Sequence, residues 1–281
     1  MMKKYLIGFI AVIFSFSGQA AREFTDQLGR KVVIDDHVER VAVLQHQTLN
    51  LLVQLDATDK IVGVMGNWRE QLGQNYERLA PELVKVPNVG DLKSVNLESL
   101  VQLKPQVVFV TNYAPQEMID KITQVGIPVI AISLQKDNSS HAKNNVNPEL
   151  DNEEQAYNDG LKEGITLIGD IVNKPDNAKE LIKQTFDSRN IVTQRLKDIP
   201  ENQRVRAYMA NPDLTTYGSG KYTGLMMQHA GAMNVAAATI KGYKQVSLEQ
   251  VISWNPEVIF IQDRYPGVVD EINNDPRWQV I

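Results

Sequence analysis

The chain of 281 residues contains no cysteine. That absence removes disulfides, cysteine nucleophiles, thiolate metal centres and any lipid anchor carried on an N-terminal cysteine. Histidine is scarce: His37, His46, His141 and His229 stand apart, with no HExxH pair, Walker loop or nucleophile elbow to accompany them. Catalysis therefore has little support, and neither has a free Zn²⁺ or Mn²⁺ site, which needs clustered histidines and carboxylates. Positive charge is not in excess either. The formal net charge is −5, and it becomes −7 once Lys3 and Lys4 are set aside. An acidic body is a poor partner for nucleic acid or anionic membranes, so an anionic ligand would have to be drawn by local groups. After Tyr5–Phe16 there is no second long apolar run. With the basic start Met1-Met2-Lys3-Lys4 and the small residues around Gly18-Gln19-Ala20, that run reads as a secretory signal peptide over residues 1–20. The expectation is a soluble protein released into a periplasm, without a lipid anchor.

What the chain does have is an internal repeat. Val95–Val110 (VNLESLVQLKPQVVFV) returns at Val246–Ile261 (VSLEQVISWNPEVIFI), ungapped at an offset of 151, with six of sixteen positions identical. Each copy gives a polar cap (Asn96, Ser247), a short helix, a Pro-marked turn and a four-residue apolar strand. Each strand runs into a polar, aromatic-bearing tip, Asn112-Tyr113 in one and Asp263-Arg264-Tyr265 in the other. Ligands of open α/β sheets sit beyond the strand carboxyl ends. Two facing tips would thus form a clamshell site. Two ordinary helix-turn-strand units sharing a pattern are the plainer reading.

The remaining pattern alternates strand and helix, as in a mostly parallel α/β sheet. Phe24–Ile34 predicts a hairpin turning at Gly29, and Arg40–Leu44, Ile61–Met65, Pro128–Ile132 and Arg204–Ala210 predict strands. Thr48–Leu55 and Pro115–Val125 predict helices, and helical spacing runs over Glu153–Asn173 and Asp176–Lys197. Twenty-two helical residues span roughly 33 Å, enough for a rigid spine. The fold class is α/β: two Rossmann-like lobes joined by a long spine helix, with a ligand cleft between them. The expected boundaries are an N-terminal lobe over 21–152, a helical spine over 153–200 and a C-terminal lobe over 201–281. The polar stretch Lys136–Asn152 is a loop or the lobe boundary, and the apolar ending Asp275–Ile281 suggests a shortened second lobe.

The binding candidates lie just after strands. His46 and Gln47 open a helix whose amides can hold an anion, though His46 is equally readable as a structural histidine. Asn67, Trp68 and Arg69 follow the next strand, where a core Trp and a surface Arg are the plainer alternative. Asn112, Tyr113, Arg264 and Tyr265 occupy the repeat tips. In the loop Tyr217–Gly224, glycines allow close backbone approach, making Tyr217, Ser219 and Tyr222 candidates; a plain strand-helix turn fits as well. Glu98 and Glu249, identical in the repeat, favour the helix dipole and could also dock a partner's basic sockets.

Phe24–Val32 (FTDQLGRKV) followed by Glu39-Arg40-Val41, the Asn-Leu-Glu…Leu-Lys-Pro segment, the spine and Ala230–Val235 (AGAMNV) together resemble the class III periplasmic substrate-binding proteins of ABC importers. The resemblance covers nearly the whole chain after residue 20. It implies two lobes that move little on binding, no cofactor beyond the bound ligand, a monomer, and a partner consisting of a transmembrane permease dimer with its ATPase. It also implies that Glu98 and Glu249 dock on permease arginines. Within the class, the sequence is most similar to molybdate/tungstate binders. A tetrahedral dianion would suit His46, Gln47, Arg264 and the tyrosines as donors. A ferric siderophore, haem or cobalamin is the alternative ligand. Members usually continue past a segment like Asp275-Pro-Arg-Trp278 with further strand and helix.

Overall fold

In a computed structural model the chain is described over residues 20–136 and 150–281. The N-terminal segment through residue 19, expected to be a signal peptide, most of the polar loop and His141 lie outside the described residues. No helix among the described residues is long and apolar enough to cross a membrane.

The chain begins with a hairpin, β1 (Ala21–Thr25) against β2 (Lys31–Asp35), paired antiparallel. Its turn places Gly29 at φ 78°, where a side chain would be strained. The first lobe then alternates β3 (Val41–Val43), α1 (His46–Gln54), β4 (Ile61–Val64), α2 (Trp68–Leu72), α3 (Leu97–Leu103), β5 (Val107–Thr111), α4 (Gln116–Gln124) and β6 (Val129–Ile132). The strands form one parallel sheet in the order β4-β3-β5-β6. Every residue of β3, β5 and β6 is buried, as expected for strands covered on both faces.

Two long helices follow, α5 (Glu153–Ile171) and α6 (Pro175–Leu196), the second opening on a proline at its first position. The spine is therefore a helix pair, and its packing is uneven. Ile165, Ile168, Ile171, Val172 and Ala178 belong to the first lobe's core. Two glycines let α5 lie that close. A Cβ on Gly160 would come 2.2 Å from the Cα of Gln135, and one on Gly164 would meet Leu134. The hairpin turn reinforces the joint: the Gln27 side chain donates to Gly160 O at 2.9 Å and accepts from the amides of Ser133 and Leu134. Along this face α5 and the start of α6 pack directly on the first lobe's core. The small residues Ala156, Gly160 and Gly164 recur every four positions and so line one face of α5.

The second lobe contains β7 (Arg206–Ala210), β8 (Thr215–Tyr217), α7 (Tyr222–His229), β9 (Met233–Asn234), β10 (Tyr243–Gln245), α8 (Leu248–Trp254), β11 (Val258–Ile261) and α9 (Gly267–Asn274). Its parallel sheet has the order β11-β7-β9, with β8 and β10 paired antiparallel beside it. Tyr208, Val251, Val268 and Trp278 centre its core. This lobe meets the helix pair through the ring contact of Tyr222 with Tyr157 of α5 and through polar groups. Arg189 of α6 bonds Asn158 at 2.6 Å and His229 Nε2 of α7 at 2.8 Å, with Glu154 3.6 Å from the ring.

The repeat is reproduced in the geometry of its caps. Asn96 accepts from Ser99 N at 3.0 Å and Ser247 from Gln250 N at 3.2 Å. Each helix ends in a left-handed residue, Lys104 (φ 48°) or Asn255 (φ 46°). The next strand then enters beside the lobe's first one, fixed by Gln106 N→Arg40 O and Glu257 N→Arg206 O, both at 2.8 Å.

Candidate functional site

The carboxyl ends of β3, β4, β7 and β11 carry the polar residues that could hold a ligand. His46 is the first residue of α1, whose N-cap position, Gln45, makes no side-chain cap, and the first turn carries no acid. Gln45 instead uses its side chain towards Ile132 O and Thr48 Oγ1. The first-turn amides thus stay free of a capping side chain and present the positive end of the helix dipole. Burial, and secondarily the Arg264 guanidinium, push the His46 imidazole down to about 4. At neutral pH it is an uncharged ring with one N–H to donate.

Arg264 reaches this place from the other lobe. Its Nη1 donates to Gln71 Oε1 in α2 at 3.1 Å and its Nη2 to Tyr217 Oη at 3.2 Å. Its guanidinium lies 4.8 Å from the Tyr265 ring centre, and that tyrosine packs on the second core. Nε of Arg264 is buried and has no hydrogen-bond partner among the described residues. Gln47 Oε1 and Asn67 Oδ1 are buried and unpartnered in the same way. They sit at adjacent strand ends, since Met65 N bonds Val43 O at 2.9 Å across β4 and β3. A buried polar atom left unpaired costs roughly 1–3 kcal/mol, and a rotated side-chain amide offers donors in place of its acceptor. The set can therefore receive an anion: helix amides, a neutral imidazole, two amide side chains and a guanidinium whose Nε is uncommitted.

The other sequence candidates are placed as follows. Trp68 is 2% exposed, within the first core and edge-on to Tyr76 at 6.5 Å between ring centres. Arg69 lies over the Trp68 ring and is ion-paired with Glu77. Both thus support α2. Asn112 is buried at the end of β5, accepting from Thr111 Oγ1. Tyr113 is exposed. At the offset of 151, Tyr113 corresponds to Arg264, whose guanidinium reaches Gln71 of the other lobe. Ser219 donates to Ile240 O at 3.3 Å, and Tyr222 packs against Tyr157 of α5 at 5.4 Å; neither is joined to the Arg264 group. Glu98 and Glu249 are exposed on the first turns of α3 and α8. Glu249's own amide and Ser247, with a lesser part from Arg277, hold its carboxyl below the usual range.

Three polar residues at the site had not been singled out from the sequence. Gln262 donates to Asn211 Oδ1 at 2.8 Å and lies 3.4 Å from Tyr217 Oη. Asn211 stands to β7 as Gln45 stands to β3, a correspondence set by the pairing of Val41 with Val107 and of Ala207 with Val258. Gln71 carries no sequence signal, because α2 is too short for periodicity. Among the described residues no three His, Asp or Glu side chains gather as metal ligands.

Two α/β lobes, a helical pair behind them and a polar cleft at the strand ends define a two-lobed solute-binding protein. The chain belongs to the periplasmic binding protein family, whose pattern it matches over residues 41–281. It is 60% identical over 277 residues to the molybdate-binding protein MolA of Haemophilus influenzae, covering 99% of this chain and 79% of that one. The solved structure of MolA bound to molybdate, described as the cognate periplasmic binding protein of an ABC transporter, superposes with TM-score 0.87 and 62% identity. That match covers 92% of this chain and 78% of the other. A periplasmic solute-binding protein of Veillonella parvula matches with TM-score 0.67 and 26% identity over 86% of this chain and 68% of its own. A vitamin B12-binding protein of Vibrio parahaemolyticus is 24% identical over 229 residues, covering 80% of this chain and 71% of the relative. These relatives bind solutes and are not enzymes, as the sequence had led one to expect.

Proposed function

We propose that this protein is the periplasmic solute-binding component of an ABC importer and that it captures a tetrahedral oxyanion, molybdate or tungstate, between its lobes. In this reading the anion lies between the start of α1 and Arg264. His46, Gln47 and Asn67 donate from the first lobe, and Tyr217 fixes the arginine in the second. The observation that carries it is Arg264, which spans the cleft, lies beside His46 and keeps a buried Nε without a partner. The close relationship to MolA, which binds molybdate, supports the same ligand. A large metal chelate fits less well, because Arg264 and Gln71 already touch across the cleft.

The bound complex then meets a membrane permease through Glu98 and Glu249, one carboxylate from each lobe. Export on an N-terminal signal peptide, release without a lipid anchor and the lobe boundaries near residues 152 and 200 belong to this proposal. Calorimetric titration with molybdate and tungstate tests it: one site at micromolar concentration or tighter is expected. Arg264→Ala should weaken capture at least about 100-fold by removing charge-assisted bonds. No heat with either anion would overturn the oxyanion assignment.

A further inference from the structure

We propose that Gln71 is a positioning residue that latches the two lobes by pinning Arg264; this rests on the oxyanion reading of the site. Gln71 and Arg264 are separated by 193 positions in sequence, yet Gln71 Oε1 accepts from Arg264 Nη1 at 3.1 Å. The contact is part of a seam. Gly73, at φ 86°, ends α2, and a Cβ built there would fall 2.3 Å from Asp263 Oδ2. Two neighbouring residues of the second lobe, 263 and 264, thus rest on the closing turn of α2.

A guanidinium is a rigid planar fork, so holding two of its nitrogens aims the third. With Nη1 on Gln71 and Nη2 on Tyr217, Nε of Arg264 is aimed without freedom to turn. Fixing the side chain before capture removes most of the rotamer entropy that an anion would otherwise have to overcome. The fixture is stiff on both sides. Tyr217 is packed on Tyr243, with 4.8 Å between ring centres. In the first lobe, Trp68 anchors α2 in the core, and Tyr76 just beyond it donates to Asn50 Oδ1 of α1 at 2.8 Å. Gln71 therefore ties the second lobe's cation to the same rigid unit that presents the α1 amides. It sets the distance between the anion's two faces without touching the anion.

The experiment uses the full-length exported protein and has two arms. Amide hydrogen exchange on ligand-free protein reads the latch directly: Gln71→Ala should speed exchange over residues 262–265 at least about tenfold, as loss of a bond to a charged group implies. Gln71→Glu, which keeps an acceptor for Nη1, should restore slow exchange. In the second arm, Gln71→Ala should bind tungstate about tenfold more weakly, with a melting temperature near that of the wild type. Unchanged exchange at 262–265 in Gln71→Ala overturns the latch. So does wild-type tungstate affinity in Gln71→Ala when Arg264→Ala has lost binding, and that result leaves the oxyanion reading intact. If the wild type itself binds no oxyanion, that reading fails and the exchange arm alone decides whether the lobes are latched.

Discussion

The same helix-turn-strand unit is built twice, and the two copies end in different surroundings. In the first lobe β5 lies between β3 and β6, and all five of its residues are buried. In the second, β11 pairs with β7 alone among the described residues, leaving Val258 39% and Phe260 43% exposed. The fastening to the helix pair differs in the same direction. The first lobe takes α5 into its apolar core, while the second meets the pair at its surface, through Arg189, His229 and Glu154 and the packing of Tyr222 on Tyr157. One lobe is thus a rigid platform and the other a more weakly seated arm. The arm is the one that delivers Arg264 to the cleft. A binding protein that must hold and then release its ligand gains from that division, because opening disturbs surface contacts and leaves the core intact.

The comparison is broken most sharply at the matched pair Phe109 and Phe260. Phe109 is fully buried, so Phe109→Ala should cost roughly 3–5 kcal/mol of unfolding free energy. Phe260→Ala should cost under about 1 kcal/mol by the same denaturant titration. Equal losses would mean that the two copies are packed alike.

The next effect concerns pH. His46 titrates at about 4 when folded, below its ordinary 6.5. The unfolded chain therefore takes up the proton first. The stability due to this residue is complete above pH 6.5 and is lost as pH falls towards 4. Between pH 7 and 5 that is about 2 kcal/mol. Burial and then Arg189 lower His229 in the same sense, so the difference between wild type and His46→Gln isolates the first-lobe share. A His46→Gln variant with an unaltered pH slope would refute the assignment.

Smaller still are the caps. Asn96→Ala and Ser247→Ala should each lower stability by about 1 kcal/mol, because each side chain satisfies one first-turn amide. A clear inequality would show that the cap geometry hides a difference in helix docking. Glu98→Arg and Glu249→Arg should leave folding and oxyanion affinity unchanged while together abolishing uptake in cells. Surviving transport would reduce both carboxylates to helix-dipole partners.

The repeat was legible in sequence because its signals are local: a cap, a proline and a four-residue apolar strand fix each unit before any packing occurs. Asn96 and Ser247 show this, as does the hairpin turn at Gly29. What could not be read was the neighbourhood of each unit. Trp68 follows a strand as a cleft residue would, yet core packing claims it. Tyr113 and Arg264 hold matching positions, and it is Arg264 that reaches Gln71 of the other lobe. Gly160 looks like a weak point in a helix until the Gln135 backbone is seen against it. Gln71 left no trace, because its partner lies 193 residues away and its helix has five residues.

The most direct test of the central claim is a crystal of the protein grown with tungstate, with an anomalous difference map recorded at the tungsten absorption edge. A single strong peak is expected between the first turn of α1 and Nε of Arg264, within hydrogen-bond reach of both. A peak elsewhere, or none in that cleft at saturating tungstate, would contradict that claim.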